Sequence, residues 1–311
     1  MSLAFVFPGQ GSQSPGMLVG LAADFSVVED TFSQASDVLG YDLWKLVQEG
    51  PEDELNQTDK TQPALLAAGI AVWRVWEREH GPRPSVLAGH SLGEYTALVC
   101  ANVFTFEDAI SLVADRGRYM QESVSADEGA MAAILGLDDE TVISDCARAA
   151  ENEVVEAVNF NSPGQIVIAG NRKAVSRASD LAKQSGAKKV ILLPVSVPSH
   201  CQLMRPAAER LRQRLSLVNF SIPDIPVIQN ADVSDSSEPD VIRDGLVRQL
   251  YNPVRWVETI NKMADRGVDD LIECGPGKVL TGLNKRINKK MKAMPVFDTT
   301  SLQNTLTQLN T

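Results

Sequence analysis

Short apolar runs alternate along this chain with longer stretches in which apolar residues recur every three to four positions. The first pattern predicts buried strands and the second amphipathic helices. Strands are expected at 3–7, 86–88, 226–229, 270–274 and 295–298. Helices are expected at 17–23, 26–39, 43–49, 61–79, 92–101, 105–122, 200–217 and 241–250, and again after Gly277. That last helix is expected to carry Lys285, Arg286, Lys289 and Lys290, and a short tail follows the last strand. Trp73 and Trp76, within the long apolar helix, read as packing residues.

The rhythm changes after the small, polar stretch 123–128. Strand 130–137, helix 139–151, strands 154–159 and 165–169, helix 173–185 and strand 189–197 follow in the order βαββαβ, the ferredoxin-like split motif. The expected architecture is therefore α/β, with residues 1–125 and 198–311 forming a large domain and 126–197 a smaller inserted one. The polar β–β connection 159–164, which includes Asn159, is expected to line a cleft.

One turn carries a chemical signature. Between strand 86–88 and helix 92–101 the chain reads Gly89-His90-Ser91-Leu92-Gly93, the G-x-S-x-G of a nucleophile elbow. A sharp strand-to-helix turn of this kind holds a serine hydroxyl at the top of a sheet, with the helix N–H groups facing any anion formed there. Ser91 is the expected nucleophile. A serine hydroxyl needs a base, and the chain has only three histidines. His80 sits at an exposed helix end and reads as a cap. His90 adjoins the serine, and strand alternation points it to the opposite side. His200 begins an inward-facing helix at a domain junction, with Ser199 as its N-cap, and is the expected base; its alternative is a core residue. No Asp or Glu near a strand end stands out to orient it. Gln249 falls on a buried face, and a backbone carbonyl there can do so, giving a dyad less poised for water attack than a full triad.

Helix 105–122, capped by Thr105, places Ala109, Leu112, Val113 and Met120 on one stripe, and Arg116 falls on that stripe. An inward arginine needs a partner that offsets its desolvation. An internal salt bridge and a bound anion both meet that need, and a snorkelling side chain avoids it.

Composition narrows the class. The net charge of −11 argues against nucleic acid as the main partner. Cys100, Cys146, Cys201 and Cys274 are widely spaced and form neither a disulfide frame nor a zinc site. The N-terminal stretch lacks the features of a signal peptide and no window approaches a membrane span. A cytoplasmic monomer with no membrane partner is the expectation.

The constellation resembles a known family. FPGQGSQ at 7–13, GHSLGEY at 89–95, DRGRYMQ at 115–121, VNFNSPGQIVIAG at 158–170, VPSH at 197–200, QLYNPVRW at 249–256 and ECGPGKVLTGL at 273–283 occur in order. They resemble the bacterial malonyl-CoA:acyl-carrier-protein transacylases of type II fatty acid synthesis, over nearly the whole length. The resemblance implies an α/β-hydrolase-like core with a ferredoxin-like insert. It implies that Ser91 is acylated, that His200 is the base and that the Gln249 carbonyl orients it. It further implies an oxyanion hole from the N–H groups of Gln10 and Leu92, a malonyl carboxylate gripped by Arg116, and Asn159 as a substrate-binding residue. Malonyl-CoA and acyl carrier protein are the implied substrate and partner, with no metal and no tightly bound cofactor. A thioesterase on the same elbow, a non-catalytic carrier-binding module and a polyketide-pathway transacylase are the competing readings.

Overall fold

In the computed structural model, residues 2–125, 127–195 and 197–309 are described. Ala126 and Ser196, at the two edges of the expected insert, lie outside them. In chain order the first elements are β1 (Leu3–Phe7), α1 (Val19–Asp24), α2 (Val27–Leu39), α3 (Leu43–Glu49), α4 (Glu52–Leu55), α5 (Thr58–Arg78), β2 (Val86–Gly89), α6 (Gly93–Cys100) and α7 (Phe106–Ser123). Next come β3 (Gly129–Leu135), α8 (Asp139–Ala150), β4 (Val155–Ser162), β5 (Gln165–Asn171), α9 (Arg172–Gln184) and β6 (Lys189–Leu192). The chain ends with α10 (Arg205–Leu215), β7 (Val227–Ile228), α11 (Pro239–Gln249), α12 (Trp256–Asp265), β8 (Asp270–Cys274), α13 (Val279–Ile287), β9 (Lys292–Val296) and α14 (Thr299–Leu309).

Strands β1, β2 and β8 are buried at every position, which explains the unbroken apolar runs of β1 and β2. They occupy the middle of a parallel sheet ordered β7-β2-β1-β8-β9. Alternate residues feed two cores. Phe5, Phe7 and Ile272 face α5, whereas Ala4, Val6, Ala88 and Leu271 face Trp256, Ile260 and Met263 of α12. Trp73 and Trp76 pack edge-on against Phe5, with ring centroids 5.4 and 5.1 Å away, as core residues should.

The second sheet is antiparallel, ordered β4-β5-β3-β6, with α8 and α9 packed against it in a ferredoxin-like arrangement. Two irregularities interrupt β4, between Ala157 and Asn159 and between Phe160 and Ser162. Such bulges re-aim side chains, and here they lie where β4 meets the core. The Phe160 N–H donates to the Val254 carbonyl at 3.0 Å, and the Val254 N–H donates to that of Val158 at 2.8 Å. These bonds tie β4 to the segment between α11 and α12.

Several expectations change. Helix 200–217 does not begin at Ser199. His200 lies in a turn at φ 67°, a single 3₁₀ turn spans Gln202–Met204, and α10 begins only at Arg205. Pro206 is the reason: it lacks an N–H, and its ring would meet the Gln202 carbonyl in a continuous helix. Helices α4, α12 and α14 are additional to the expected set, the last capped by Asp298, which accepts from the Ser301 N–H at 2.7 Å. Helix α13 ends at Ile287, so Lys289 and Lys290 lie beyond it. All four cysteines are buried free thiols.

Candidate active site

Strand β2 ends at Gly89 and α6 starts at Gly93, so the chain turns within His90, Ser91 and Leu92. Both flanking glycines are required by close approach. A Cβ on Gly89 would lie 1.8 Å from the Gly93 carbonyl carbon, and one on Gly93 would lie 2.1 Å from the Phe7 oxygen. Ser91 itself adopts φ 51°. A non-glycine residue held in that region costs on the order of 1–3 kcal/mol, and the surroundings hold both of its backbone groups. The Ser91 N–H donates to Asn230 Oδ1 at 2.7 Å, and Gln249 Nε2 donates to the Ser91 carbonyl at 2.9 Å.

His200 Nε2 lies 2.8 Å from Ser91 Oγ, and Nδ1 lies 2.7 Å from the Gln249 carbonyl. A carbonyl only accepts, so Nδ1 carries the proton and Nε2 offers a lone pair to the serine hydroxyl. The His200 N–H donates to the Leu250 carbonyl at 3.0 Å. Both holding carbonyls come from the end of α11, where helix carbonyls lack intrahelical donors. The side chain is 3% exposed. Burial first, and the Arg116 guanidinium second, hold its pKa down to about 3 against the opposing bond from Gln249. The free imidazole is thus neutral at working pH.

Arg116 is 1% exposed. Its Nη1 donates to Gln62 Oε1 at 2.8 Å, while Nη2 donates to Gln249 Oε1 at 2.9 Å and approaches Ser91 Oγ at 3.4 Å. Among the described residues its Nε–H has no hydrogen-bond partner. Among the described residues no carboxylate forms an ion pair with it, so an internal salt bridge does not account for its burial. Two neutral amides hold the fork in place beside the serine, and Glu94, the nearest acid acting on it, reaches it only through the Gln249 amide.

A cavity of about 110 Å³ joins these groups, bordered by Gln10, Ser91, Leu92, Arg116, Asn159 and His200. Met131, Leu193, Val195 and Val197 supply apolar wall. The backbone N–H groups of Gln10 and Leu92 have no hydrogen-bond partner among the described residues. Asn159 Oδ1 is likewise buried and unpartnered. His90 differs from expectation: it borders the cavity instead of facing away, because the positive φ at Ser91 breaks strand alternation. Its Nε2 lies 2.8 Å from Asn161 Oδ1, which fixes the ring between the two sheets. His80 is exposed at the end of α5, as expected.

Three buried polar residues around the site have no role in the sequence reading. Gln62 holds Arg116, and its signal was a glutamine among the apolar positions of α5. Asn230 and Glu94 hold the Ser91 turn, as developed below. Glu94 is fully buried, and burial pushes its carboxyl up to about 7 against the opposing Asn230 and Gln249 bonds.

Comparison with known proteins agrees with this arrangement. The family model described as acyl transferase domain matches residues 4–303. The malonyl CoA-acyl carrier protein transacylase of Salmonella typhimurium is 55% identical over 305 residues, covering 98% of this chain and 99% of that protein. The Escherichia coli K12 protein of the same name is 58% identical over 284 residues, covering 91% and 92%. Among solved structures, an acyl carrier protein S-malonyltransferase from Vibrio cholerae superposes with a TM-score of 0.96 at 57% identity, covering 98% of this chain and all (100%) of that one. A malonyl-transacylase in complex with a type II PKS acyl-carrier protein gives a TM-score of 0.98 at 56% identity, covering 99% and 100%. The chain belongs to the acyl transferase domain family, among the malonyl CoA-acyl carrier protein transacylases.

Proposed function

We propose that the chain transfers malonyl from malonyl-CoA to the phosphopantetheine thiol of acyl carrier protein, supplying malonyl groups for fatty acid elongation. The observation that carries the reading is the buried Arg116 guanidinium, in no ion pair among the described residues, beside a serine–histidine pair. A thioester whose acyl group ends in a carboxylate meets both at once.

In this reading Ser91 Oγ attacks the malonyl thioester carbonyl while His200 Nε2 takes its proton. The N–H groups of Gln10 and Leu92 receive the developing oxyanion. The C–S bond breaks and the CoA sulfur leaves with the proton from His200. The carrier-protein thiol then gives its proton to His200 and attacks the seryl ester, and Ser91 Oγ leaves and recovers the proton. Arg116 holds the free carboxylate throughout, and Asn159 binds the substrate at the cavity wall. The Gln249 carbonyl keeps the imidazole in the required tautomer without the charge of a third-member acid. This supports transfer to a thiol over hydrolysis, and argues against a thioesterase.

The same reading places the catalytic unit at 1–125 and 198–311, with 126–197 as the inserted unit that closes the cleft. It is of a cytoplasmic monomer that needs no tightly bound cofactor and engages neither nucleic acid nor membrane. Among the described residues, no helix is long and apolar enough to cross a membrane. Two basic surfaces suit an acidic carrier protein: exposed Lys188 and Lys189 at the start of β6, and exposed Lys285, Arg286, Lys289, Lys290 and Lys292. The lysines of the second cluster border a groove of about 930 Å³, and among the described residues none of them is ion-paired. A polyketide carrier protein would meet the same chemistry.

Purified protein, malonyl-CoA and holo acyl carrier protein test the proposal. Initial rates should follow parallel-line, double-displacement kinetics, with labelled malonyl recovered on the carrier. Intersecting lines, or malonate released without transfer, would refute it.

A further inference from the structure

Besides the backbone bonds of the turn itself, among them the Glu94 N–H to the Ser91 carbonyl at 3.1 Å, the two side chains that grip Ser91 converge on a single carboxylate oxygen. Glu94 lies in the first turn of α6, and its Oε2 accepts from the Asn230 N–H at 3.0 Å and from Gln249 Nε2 at 2.7 Å. Those two residues are the ones that grip Ser91: Asn230 Oδ1 takes its N–H and Gln249 Nε2 reaches its carbonyl. Asn230 Nδ2 also donates to the Gly89 carbonyl at 2.7 Å, so the residue spans the elbow from strand end to serine. Neither partner is local in sequence, since Asn230 lies after β7 and Gln249 ends α11. The second oxygen of Glu94, Oε1, has no hydrogen-bond partner among the described residues.

We propose that Glu94 is a positioning residue: one carboxylate oxygen fixes Asn230 and Gln249 on the two backbone groups of Ser91, and so aims Oγ at His200. This rests on the reading of Ser91 as nucleophile given above. Glu94 touches neither the serine side chain nor the cavity, and it acts through the two residues it holds. Both bonds end on Oε2, so an amide oxygen in the same place supports the same clamp. An apolar side chain of similar size removes that acceptor and with it both bonds. A serine displaced by about 1 Å from its attack position loses on the order of a hundredfold in rate. Glu94 also adjoins Arg116 through the Gln249 amide, and that gives the rival account, in which Glu94 serves the malonyl carboxylate site.

Single-turnover acylation by malonyl-CoA and by acetyl-CoA separates the two accounts in wild type, Glu94→Leu and Glu94→Gln. The clamp predicts that Leu slows acylation by both thioesters by the same factor, roughly a hundredfold, with the half-saturating malonyl-CoA concentration unchanged. Gln should recover the rate to within about tenfold of wild type on both, because it keeps the accepting oxygen. If Glu94→Leu fails to fold, Asn230→Ala reads the other arm of the clamp and should again slow both substrates equally. A loss confined to malonyl-CoA, a Gln variant no better than Leu, or variants that acylate at the wild-type rate would each overturn the proposal. A wild-type protein that neither thioester labels on Ser91 would instead overturn the functional reading beneath it.

Discussion

Replacing Arg116 by alanine should convert a malonyl-selective acylation site into an unselective one. The guanidinium is 1% exposed, is fixed by Gln62 and Gln249 at 2.8 and 2.9 Å, and forms no ion pair among the described residues. A malonyl carboxylate entering the cavity therefore completes a buried, charge-assisted pair whose positive half is already desolvated and oriented. Losing one partner of such a pair costs about 3–5 kcal/mol. At 1.36 kcal/mol per tenfold, that is roughly two to three and a half powers of ten in kcat/KM for malonyl-CoA. Acetyl-CoA offers no anion, so its kcat/KM should be unchanged or higher in Arg116→Ala. Lysine should rescue poorly, because a point charge does not reproduce the planar fork held by two amides. The assay compares kcat/KM for both thioesters in wild type, Arg116→Ala and Arg116→Lys. Equal losses on malonyl and acetyl would refute the reasoning and make Arg116 a structural residue that merely keeps Gln249 in place.

Other outcomes follow from the same geometry. Ser91→Ala should form no acyl-enzyme, and His200→Ala should acylate about 10²–10⁴-fold more slowly with its melting temperature preserved, whereas a crippling His90→Ala with a harmless His200→Ala would reverse the assignment. Since burial and Arg116 hold the His200 pKa down to about 3, the base stays unprotonated in the free enzyme on mild acidification. The kcat/KM for malonyl-CoA should accordingly stay nearly flat from roughly pH 7.5 to 5.5, where a histidine of ordinary pKa would lose about tenfold. Reversing the charges of Lys285, Arg286, Lys289, Lys290 and Lys292, or of Lys188 and Lys189, should raise KM for carrier protein more than for malonyl-CoA, most at low salt. An unchanged KM for both cluster variants would remove electrostatic docking from the account.

What the sequence makes legible is what depends on near neighbours. The elbow shows because its glycines and serine are contiguous between a strand and a helix. Thr105 shows as a cap because its acceptor role is local, and its hydroxyl does take the Asp108 N–H at 3.1 Å. Arg116 shows because one helix period puts a charge on an apolar stripe. The hidden features need partners far along the chain. Glu94 looks like an ordinary acid favouring a helix N-terminus, until Asn230 and Gln249, separated from it by 136 and 155 residues, bury it. The His200 turn is hidden because the apolar spacing continues past Pro206, although that proline disfavours an earlier helix start. Helix α12 is partly legible in Trp256, Ile260 and Met263, but its short stripe gains meaning only against the far face of the sheet.

The most direct test is intact-protein and peptide mass spectrometry after brief exposure to malonyl-CoA without carrier protein. The account predicts one malonyl group per chain, mapped to Ser91, absent in Ser91→Ala and discharged when holo carrier protein is added. Malonyl found on another residue, or no covalent adduct while transfer proceeds, would contradict it.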